Sequence, residues 1–294
     1  MTTSRLDSPL LLVCATILIG MIGCAAPNEV PAKPGMRAAG MPYCPMCGRM
    51  MSAHASGCGP AASQPSIPLI GQPAPAFEAN TTQGKIRFPD DFKGKWIVLF
   101  SHPADFTPVC TTEFMTLATM QPDFEALNCQ LVGLSIDSNF SHIAWLRTIT
   151  EKIEWKGMKN VVVTFPVIAD IKMDVARECG MIHPAASDTQ AVRAVFVIDP
   201  KGIVRALIYY PMSTGRNVNE IKRLLISLQT CDAHGVATPA NWQPGEDVIM
   251  PAPGSCGAAS TRLAENGKGY YCLDWFLCLK KMPKDQLVLP PGDK

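Results

Sequence analysis

The chain has 294 residues, and its 26 Lys and Arg nearly balance its 25 Asp and Glu, for a formal net charge of +1. Because the basic residues are also scattered, the chain has no broad positive field, which argues against a nucleic-acid partner. With 47% hydrophobic residues, the chain is long enough for one large domain with appendages or for two modest domains. The 26 Pro and 22 Gly are concentrated near the two ends, which predicts a compact centre with extended termini. Twelve cysteines indicate either the disulfides of an oxidising compartment or a function based on sulfur.

The first 23 residues have the pattern of a signal peptide. Their apolar run, residues 10–23, is too short for a stable transmembrane helix but suits a secretory core. The run ends at Gly23 directly before Cys24, and this junction resembles a bacterial lipobox. The resemblance implies cleavage before Cys24, acylation of its thiol and an exported protein anchored to the periplasmic or cell-surface face of a bacterial membrane. The alternative is an ordinary signal peptide or a membrane anchor.

Residues 24–66 are rich in Pro, Ala, Gly and Ser and are predicted to form a linker. The linker contains three thiols and one imidazole within 15 residues, on Cys44, Cys47, His54 and Cys58. This is the ligand number of a tetrahedral site for a soft metal. Cys44 and Cys47 also form a C-x-x-C pair, which suits a redox-active dithiol. Metal binding, redox activity and neither of the two remain open for this cluster.

Residues 67–232 show a regular alternation of short apolar runs with helical patterns. The predicted strands are residues 96–101, 131–136, 165–169, 194–198 and 203–210, and the predicted helices are residues 111–120, 141–150 and 173–179. A last helix begins at Asn217, which with Glu220 has the spacing of a capping box. This order predicts an α/β fold with a mixed sheet, in which the final hairpin adds an antiparallel edge to parallel strands.

The residues best suited to chemistry lie between the first of these strands and the helix that follows it. Cys110 falls in the first helical turn, where free backbone N–H groups and the helix dipole favour a thiolate. The hydroxyl of Thr107, three residues earlier, can lie near the Cys110 sulfur and hold a small polar substrate beside it. Pro103 and Pro108 stiffen the connecting loop and remove two N–H groups, so the pocket can be narrow and partly dry.

This segment resembles the peroxiredoxin active-site pattern P-x3-T-x2-C, matched by Pro103, Thr107 and Cys110. The surrounding sequence HPADFTPVCTTE is similar to that of the one-Cys subfamily, of the peroxiredoxin 6 type. The similarity continues through LSIDS at 134–138, RAVFVIDP at 193–200, YP at 210–211, TGRN at 214–217 and VATPANW at 236–242. It implies a thioredoxin-like fold over residues 67–232 and a C-terminal dimerisation arm over residues 233–294. It also implies a homodimer or ring-shaped homo-oligomer that reduces hydrogen peroxide and organic hydroperoxides without a required cofactor.

The resemblance assigns a role to each matching position. Cys110 is implied to be the nucleophile that attacks the peroxide and becomes a sulfenic acid. Arg193 is implied to stabilise the thiolate and the departing oxygen, for which a permanently charged guanidinium is suited. Thr107 would orient the peroxide and Pro103 would shield the sulfenate. His102 and Arg216 match further positions of the pocket.

The tail adds a pair of cysteines, Cys272 and Cys278, at a spacing similar to that of archaeal members of the subfamily. In those relatives the later cysteine resolves the partner's sulfenate, so Cys278 is the expected resolving residue and a thioredoxin-like or other dithiol would be the reductant. The alternative is a structural disulfide of Cys272 and Cys278 with each other or with Cys256. The remaining core-region cysteines have no motif around them and are predicted to be packing residues: Cys129, Cys179 and Cys231.

Three other functions compete with this one. A membrane-tethered, metal-binding or chaperone-like lipoprotein would use the linker cluster, but the intact set around Cys110 argues against loss of catalysis. The phospholipase activity known in the subfamily is not expected, because the three positions that would carry it are Pro89, Lys95 and Lys201. A thioredoxin-type disulfide oxidoreductase needs a C-x-x-C at the helix start, where this chain has Thr107 before Cys110 and no cysteine three positions after it.

Overall fold

The structure, a computed structural model, describes residues 67–290 and residue 293. The linker cluster and the proposed leader therefore lie outside the described residues. The main sheet has seven strands in the order β2-β1-β5-β4-β3-β6-β7. Its strands are β1 (Phe77–Thr81), β2 (Gly84–Phe88), β3 (Trp96–Ser101), β4 (Cys129–Ser135), β5 (Val167–Ala169), β6 (Arg193–Ile198) and β7 (Val204–Tyr210). The helices that accompany it are α1 (Pro108–Ala126), α2 (Asn139–Lys152), α3 (Asp174–Glu178) and α4 (Val218–His234).

The sheet is mixed, as the sequence predicts. Strands β3, β4 and β5 are parallel to one another, whereas β6 is antiparallel to both β3 and β7. The β6–β7 turn is built on Asp199, whose carboxylate accepts hydrogen bonds from the backbone N–H groups of Lys201 and Ile203. Gly202 in this turn has a φ of +81°, a conformation that favours glycine. The hairpin therefore forms one edge of the sheet, next to the central parallel strands.

Two hydrophobic clusters cover opposite faces of the sheet. All six residues of β3 are buried, and its side chains alternate between the clusters, as the period of a strand requires. Val98 and Phe100 pack with residues of α1, α2 and α4, whereas Ile97 and Leu99 pack on the side of α3. Burial on both faces explains why β3 reads as an unbroken apolar run, which is typical of a central strand.

Helix α4 begins and ends with identifiable caps. The side chain of Asn217 accepts a hydrogen bond from the backbone N–H of Glu220 at 3.2 Å, so the predicted N-cap is present. The Glu220 carboxylate pairs with Arg223 instead of completing a capping box. At the other end, Gly235 adopts a φ of 60° at the C-cap.

The arm forms a small unit of its own secondary structure. It contains β8 (Val248–Ile249), helix α5 (Cys256–Ala264), β9 (Tyr271–Asp274) and β10 (Leu277–Lys280), with the strand order β8-β10-β9. Trp242 attaches the start of the arm to the core, because its ring is fully buried in the cluster that contains Phe114 and Trp145. Among the described helices, none combines the length and apolar character that crossing a bilayer requires.

The predicted elements agree with the observed ones apart from their ends and three omissions. Helix α1 is longer than the predicted 111–120 and continues through Pro122. The hairpin of β1 and β2 is missing from the prediction, because only two of the five residues of each strand are buried and the sequences FEANT and GKIRF carry little apolar signal. Helix α5 and the three-stranded sheet of the arm are also absent from it.

Candidate active site

The loop between β3 and α1 places Cys110 inside the protein. Thr107 is the N-cap of α1 and Pro108 occupies the first helical position, where a missing N–H costs nothing. Cys110 follows two residues later, with a relative exposure of 0%. The Thr107 hydroxyl donates to the carbonyl of Ala104 at 2.9 Å rather than capping the helix, which leaves its oxygen free to accept. The first turn of α1 therefore faces a closed, largely water-excluded site.

Arg193, at the start of β6, is the charged group that contacts the sulfur. Its Nη1 donates to Cys110 Sγ at 3.3 Å. Its Nε and Nη2 donate to the carbonyl of Met212 at 2.9 and 2.7 Å, which fixes the guanidinium plane. Cys110 and Arg193 are 83 residues apart in the sequence, and the antiparallel pairing of β3 with β6 brings them together. Arg193 and Cys110 are thus in direct contact.

Glu113 joins the two arginines of the site and is the residue that sequence reasoning missed. Its Oε2 accepts from Arg193 Nη1 and from Arg216 Nη2, both at 2.7 Å, and its Oε1 accepts from Arg216 N and Nε at 2.8 and 2.9 Å. Arg216 also donates to the carbonyls of Ser101 and Ala194 and lies over the Phe100 ring. One signal in the sequence could have identified Glu113: it lies one helical turn after Cys110, on the same face of α1.

The charges of this cluster balance only when the sulfur is anionic. Two buried guanidinium groups face one carboxylate, so one positive charge remains, and a Cys110 thiolate would cancel it. Burial by itself would raise the pKa of the Glu113 carboxyl, but the charge and hydrogen bonds of Arg216, together with Arg193, hold it below its usual value. Glu113 therefore stays ionised between the two guanidinium groups.

The loop before α1 contains a backbone conformation that is unusual for its residue type. Phe106 has a φ of 55°, in the left-handed region, and its side chain is 57% exposed. The preceding residue, Asp105, is held in place by its backbone N–H, which donates to Asp137 Oδ2 at 2.9 Å. The Ser135 hydroxyl in turn donates to the same Asp137 oxygen at 2.8 Å. The loop is therefore fixed from the β4 side.

His102 is buried, and its hydrogen bond is to the carboxylate of Asp105. Its Nε2 donates to Asp105 Oδ1 at 3.0 Å, and its ring packs against Phe114 and Trp145. Burial lowers the pKa of His102, and the neighbouring Asp105 offsets this only in part. Burial would raise the pKa of Asp105, but hydrogen bonds from His102 and His142 outweigh it and hold that pKa far below its usual value. His102 is therefore a neutral donor to an ionised Asp105.

The two arm cysteines are bonded to each other. Cys272 and Cys278 are direct partners in the β9–β10 ladder, and their sulfur atoms form a disulfide. Cys256, the other pairing partner considered from the sequence, is a free and exposed thiol at the first position of α5. Of the expected packing residues, Cys129 and Cys179 are buried, and burial raises the pKa of the Cys179 thiol to about 12. Such thiols are inert, which distinguishes them from Cys110.

The remaining predicted site residues divide into two groups. Pro103 is buried beside His102 in the loop. The lipidation candidate and the proposed metal ligands lie outside the described residues: Cys24, Cys44, Cys47, His54 and Cys58.

Among the residues that the structure describes, a different trio brings metal-ligating atoms together, within 4.8 Å of one another: His102, Asp105 and His142. In this trio, both histidine rings are hydrogen-bonded to the Asp105 carboxylate.

The architecture defines a thioredoxin-like fold with a cysteine at the start of the helix that follows a central strand. Residues 70–207 match the model of the AhpC/TSA family, and residues 227–265 match that of the C-terminal domain of 1-Cys peroxiredoxin. A peroxiredoxin of Methanosarcina mazei is 65% identical over 215 residues, which cover 73% of this chain and 98% of that protein. A peroxiredoxin of Aquifex aeolicus is 55% identical over 227 residues, which cover 74% and 98% of the two chains.

Solved structures agree with these matches. A yeast mitochondrial 1-Cys peroxiredoxin superposes with a TM-score of 0.63 at 40% identity, covering 73% of this chain and 99% of the other. A cysteine-to-serine mutant of peroxiredoxin 6 from Arenicola marina gives a TM-score of 0.61 at 35% identity, covering 74% and 99%. The chain therefore belongs to the peroxiredoxin family, as its sequence predicts, and it is a thiol-dependent peroxidase, an activity that needs no cofactor in this family.

Proposed function

We propose that the protein reduces hydrogen peroxide and organic hydroperoxides at Cys110. The thiolate attacks one peroxide oxygen, the O–O bond breaks as the S–O bond forms, and the other oxygen leaves as water or an alcohol after taking a proton. Sulfur supplies the two electrons and becomes a sulfenic acid. The observation that carries this proposal is the contact at 3.3 Å between Arg193 Nη1 and Cys110 Sγ in a site whose charges balance with a thiolate.

Each neighbouring group has a defined part in this step. Arg193 stabilises the anionic sulfur and the charge that develops on the leaving oxygen, because its guanidinium remains charged and rigidly held. The Thr107 hydroxyl gives its hydrogen to Ala104, so its oxygen can accept the O–H of the peroxide and orient it. Pro103 keeps water from the sulfenic acid, while Arg216 holds Glu113 and thereby the position of Arg193.

The arm cysteines complete the catalytic cycle. The Cys278 thiol of a partner subunit condenses with the Cys110 sulfenic acid, forming a disulfide and releasing water. Cys272 then attacks Cys278, frees the Cys110 thiol and leaves the Cys272–Cys278 disulfide, which a thioredoxin-like or other dithiol donor reduces. The pairing of these two sulfurs in one ladder supports this order. The yeast mitochondrial relative is described as resolved via glutathione and thioredoxin systems, which favours a thiol donor here too.

The test is peroxide consumption by the full chain with dithiothreitol, together with its intact mass after one equivalent of hydrogen peroxide. Cys110→Ser should lose turnover. Cys278→Ser should accumulate the sulfenic acid or its oxidation products instead of a disulfide, and the matched variant Cys256→Ser should behave as the wild type. Turnover in Cys110→Ser would contradict the nucleophile, and normal disulfide formation in Cys278→Ser would contradict the resolving residue.

The sequence up to Cys24 supports a separate proposal about where the protein is located. The junction before Cys24 supports export and acylation, which would anchor the peroxidase to a bacterial membrane through its own chain. Expression in a bacterial host with labelled fatty acid should give a labelled membrane protein, and Cys24→Ser should abolish the label. An unlabelled wild-type protein would reject the anchor without affecting the peroxidase assignment.

A further inference from the structure

The segment between β7 and α4, residues 211–217, reaches the active site through its backbone. The carbonyl of Met212 accepts hydrogen bonds from Nε and Nη2 of Arg193, at 2.9 and 2.7 Å. Four residues later, the backbone N–H of Arg216 donates to Glu113 Oε1 at 2.8 Å. Two backbone groups of one short segment therefore hold side chains that surround the sulfur.

The hydrogen bonds of Arg193 leave one of its donors free. A guanidinium carries five N–H groups, and the contacts among the described residues account for all but one of them. Nη1 donates to Cys110 Sγ and to Glu113 Oε2, whereas Nε and one hydrogen of Nη2 go to the Met212 carbonyl. Because the guanidinium is planar and rigid, the Met212 carbonyl fixes the direction of the second Nη2 hydrogen. This hydrogen is the donor that Arg193 can offer to an oxygen of the substrate.

A tight turn at the end of β7 sets the position of the Met212 carbonyl. The turn is closed by a hydrogen bond from the backbone N–H of Thr214 to the carbonyl of Pro211, at 3.1 Å. It begins directly after Tyr210, the cross-strand partner of Arg193. Pro211 has a fixed φ and no N–H, so β7 ends there and the turn starts at a defined place. The Pro211 side chain is exposed, so its effect runs through the backbone rather than through packing.

We propose that Pro211 is a positioning residue for the peroxidase reaction: its turn presents the Met212 carbonyl to Arg193 and thereby aims the free Nη2 hydrogen at the peroxide oxygen that leaves. The inference rests on the function proposed above for Cys110 and Arg193. If the turn opens, Arg193 keeps its two Nη1 contacts, so its charge stays beside the sulfur, but Nη2 loses its fixed direction. Loosening the turn should therefore slow the peroxide reaction without slowing every reaction of the sulfur.

The experiment measures two second-order rates of Cys110 in the reduced full chain, one with hydrogen peroxide and one with iodoacetamide, the latter followed by peptide mass. Iodide leaves without a proton, so alkylation does not need a directed hydrogen from Arg193. Pro211→Gly gives the start of the turn conformational freedom. We expect its peroxide rate to fall about 10-fold, the lower end of the range for losing a hydrogen bond to a charged group, and its iodoacetamide rate to change by less than about twofold. Pro211→Ala, which frees the backbone less, should lie between Pro211→Gly and the wild type.

Pro200→Gly is the matched control. Pro200 lies in the turn at the other end of β7, which is closed by a hydrogen bond from the backbone N–H of Gly202 to the carbonyl of Asp199, at 2.8 Å. The chemical change is the same, but this turn follows the last residue of β6, whereas Arg193 is its first. Both rates of Pro200→Gly should equal those of the wild type.

A double variant shows whether the effect passes through Arg193. Arg193→Lys combined with Pro211→Gly should react with peroxide no more slowly than Arg193→Lys alone, because both changes remove the same contact. The positioning role is wrong if Pro211→Gly keeps the wild-type peroxide rate, if both of its rates fall equally, or if its effect adds in full to that of Arg193→Lys.

Cys110→Ser separates the positioning role from the peroxidase function itself. A wild-type peroxide rate in Pro211→Gly, together with no turnover in Cys110→Ser, would reject the positioning role and leave the peroxidase assignment intact. Turnover that persists in Cys110→Ser would reject both.

Discussion

The catalytic segment and the C-terminal arm place their sulfur atoms in different environments. Cys110 is enclosed and surrounded by charges that the chain itself supplies, from Arg193, Glu113 and Arg216. The arm carries its disulfide on a hairpin whose tip exposes Leu273 at 71% and Phe276 at 52%. The first site is complete within one chain, whereas the second presents apolar surface to its surroundings. One chain therefore supplies every charged group around Cys110, whereas the arm leaves the apolar tip of its hairpin exposed.

The balance of charge around Cys110 is the feature whose loss should have the largest effect. Glu113→Gln would leave two buried guanidinium groups without their carboxylate, and removal of one member of a buried ionic group costs about 3–5 kcal/mol. We expect the free energy of unfolding, measured by urea denaturation, to fall by about that amount.

Glu125→Gln provides the control, because it makes the same chemical change on the same helix at an exposed position. It should alter the free energy of unfolding by less than about 0.5 kcal/mol. Equal denaturation midpoints for Glu113→Gln and the wild type would show that the guanidinium groups are not held by this carboxylate.

Arg193→Lys tests the contact with the sulfur at a smaller cost in stability. A lysine retains the charge, but it cannot contact Cys110, Glu113 and the Met212 carbonyl from one planar group. The rate of Cys110 with hydrogen peroxide should fall about 100- to 1,000-fold, the range for loss of one preorganised donor. Stopped-flow competition against a second peroxidase measures this rate.

Arg205→Lys is the comparison variant, because Arg205 also forms a two-pronged carboxylate contact, with Asp232, but lies on β7 away from the sulfur. It should react with peroxide as the wild type does. A wild-type rate in folded Arg193→Lys would remove Arg193 from the catalytic step.

The sequence predicted those parts of the molecule that local signals determine. The bounds of β3 agree with the structure because all six residues are buried and the first five are apolar. Cys110 and Arg193 were found through the motifs around them rather than through their contact. The residues that were missed are joined over distance: Glu113 reaches Arg193 and Arg216 across 80 and 103 positions, and Asp105 reaches His142 across 37. A linear pattern cannot show that such groups are neighbours, because the sheet order that unites them is a property of the whole fold.

The arm shows a second limit. Its strands have two to four residues, and most of their side chains are exposed or half-buried, so they lack the period that identifies a strand in sequence. The sequence left open whether Cys272 and Cys278 bond to each other or to Cys256, or whether one of them resolves the Cys110 sulfenic acid. In the structure, the register of the β9–β10 ladder places Cys272 beside Cys278, and the two are bonded. Whether Cys278 resolves the sulfenic acid stays a prediction.

His102 predicts a dependence of stability on pH. Its lowered pKa in the folded protein means that, below about pH 6.5, the unfolded chain binds a proton that the folded one does not. Stability should therefore decrease as the pH falls from 7 to 5, with a slope of up to about 1.4 kcal/mol per pH unit. The lowered pKa values of Glu113 and Asp105 act in the same direction below about pH 4.

Urea denaturation at several pH values measures this slope. It should flatten between pH 7 and 5 in His102→Asn, whereas His234→Asn, at the end of α4, should keep the wild-type slope. An unchanged slope in His102→Asn would mean that this ring is protonated in the folded state.

The smallest expected effect on the stability of one chain comes from the exposed tip of the arm. The Phe276 ring is exposed, and among the aromatic rings of the described residues it contacts Trp275 alone. Phe276→Ser removes this ring. We expect less than about 0.5 kcal/mol of change in the unfolding of the monomer. If the arm docks on a partner subunit, the same change should shift the oligomer toward monomers, because large aromatic side chains dominate interface energies.

Sedimentation velocity over a range of concentrations distinguishes these two effects. Val162→Ser is the matched variant, since it removes an apolar side chain that is 60% exposed outside the arm, and it should leave the assembly unchanged. An unaltered distribution for Phe276→Ser would mean that the tip does not contact a partner. The arm would then have to bring Cys278 to the Cys110 of its own chain, and mixing Cys110→Ser with Cys278→Ser chains should restore no disulfide between them.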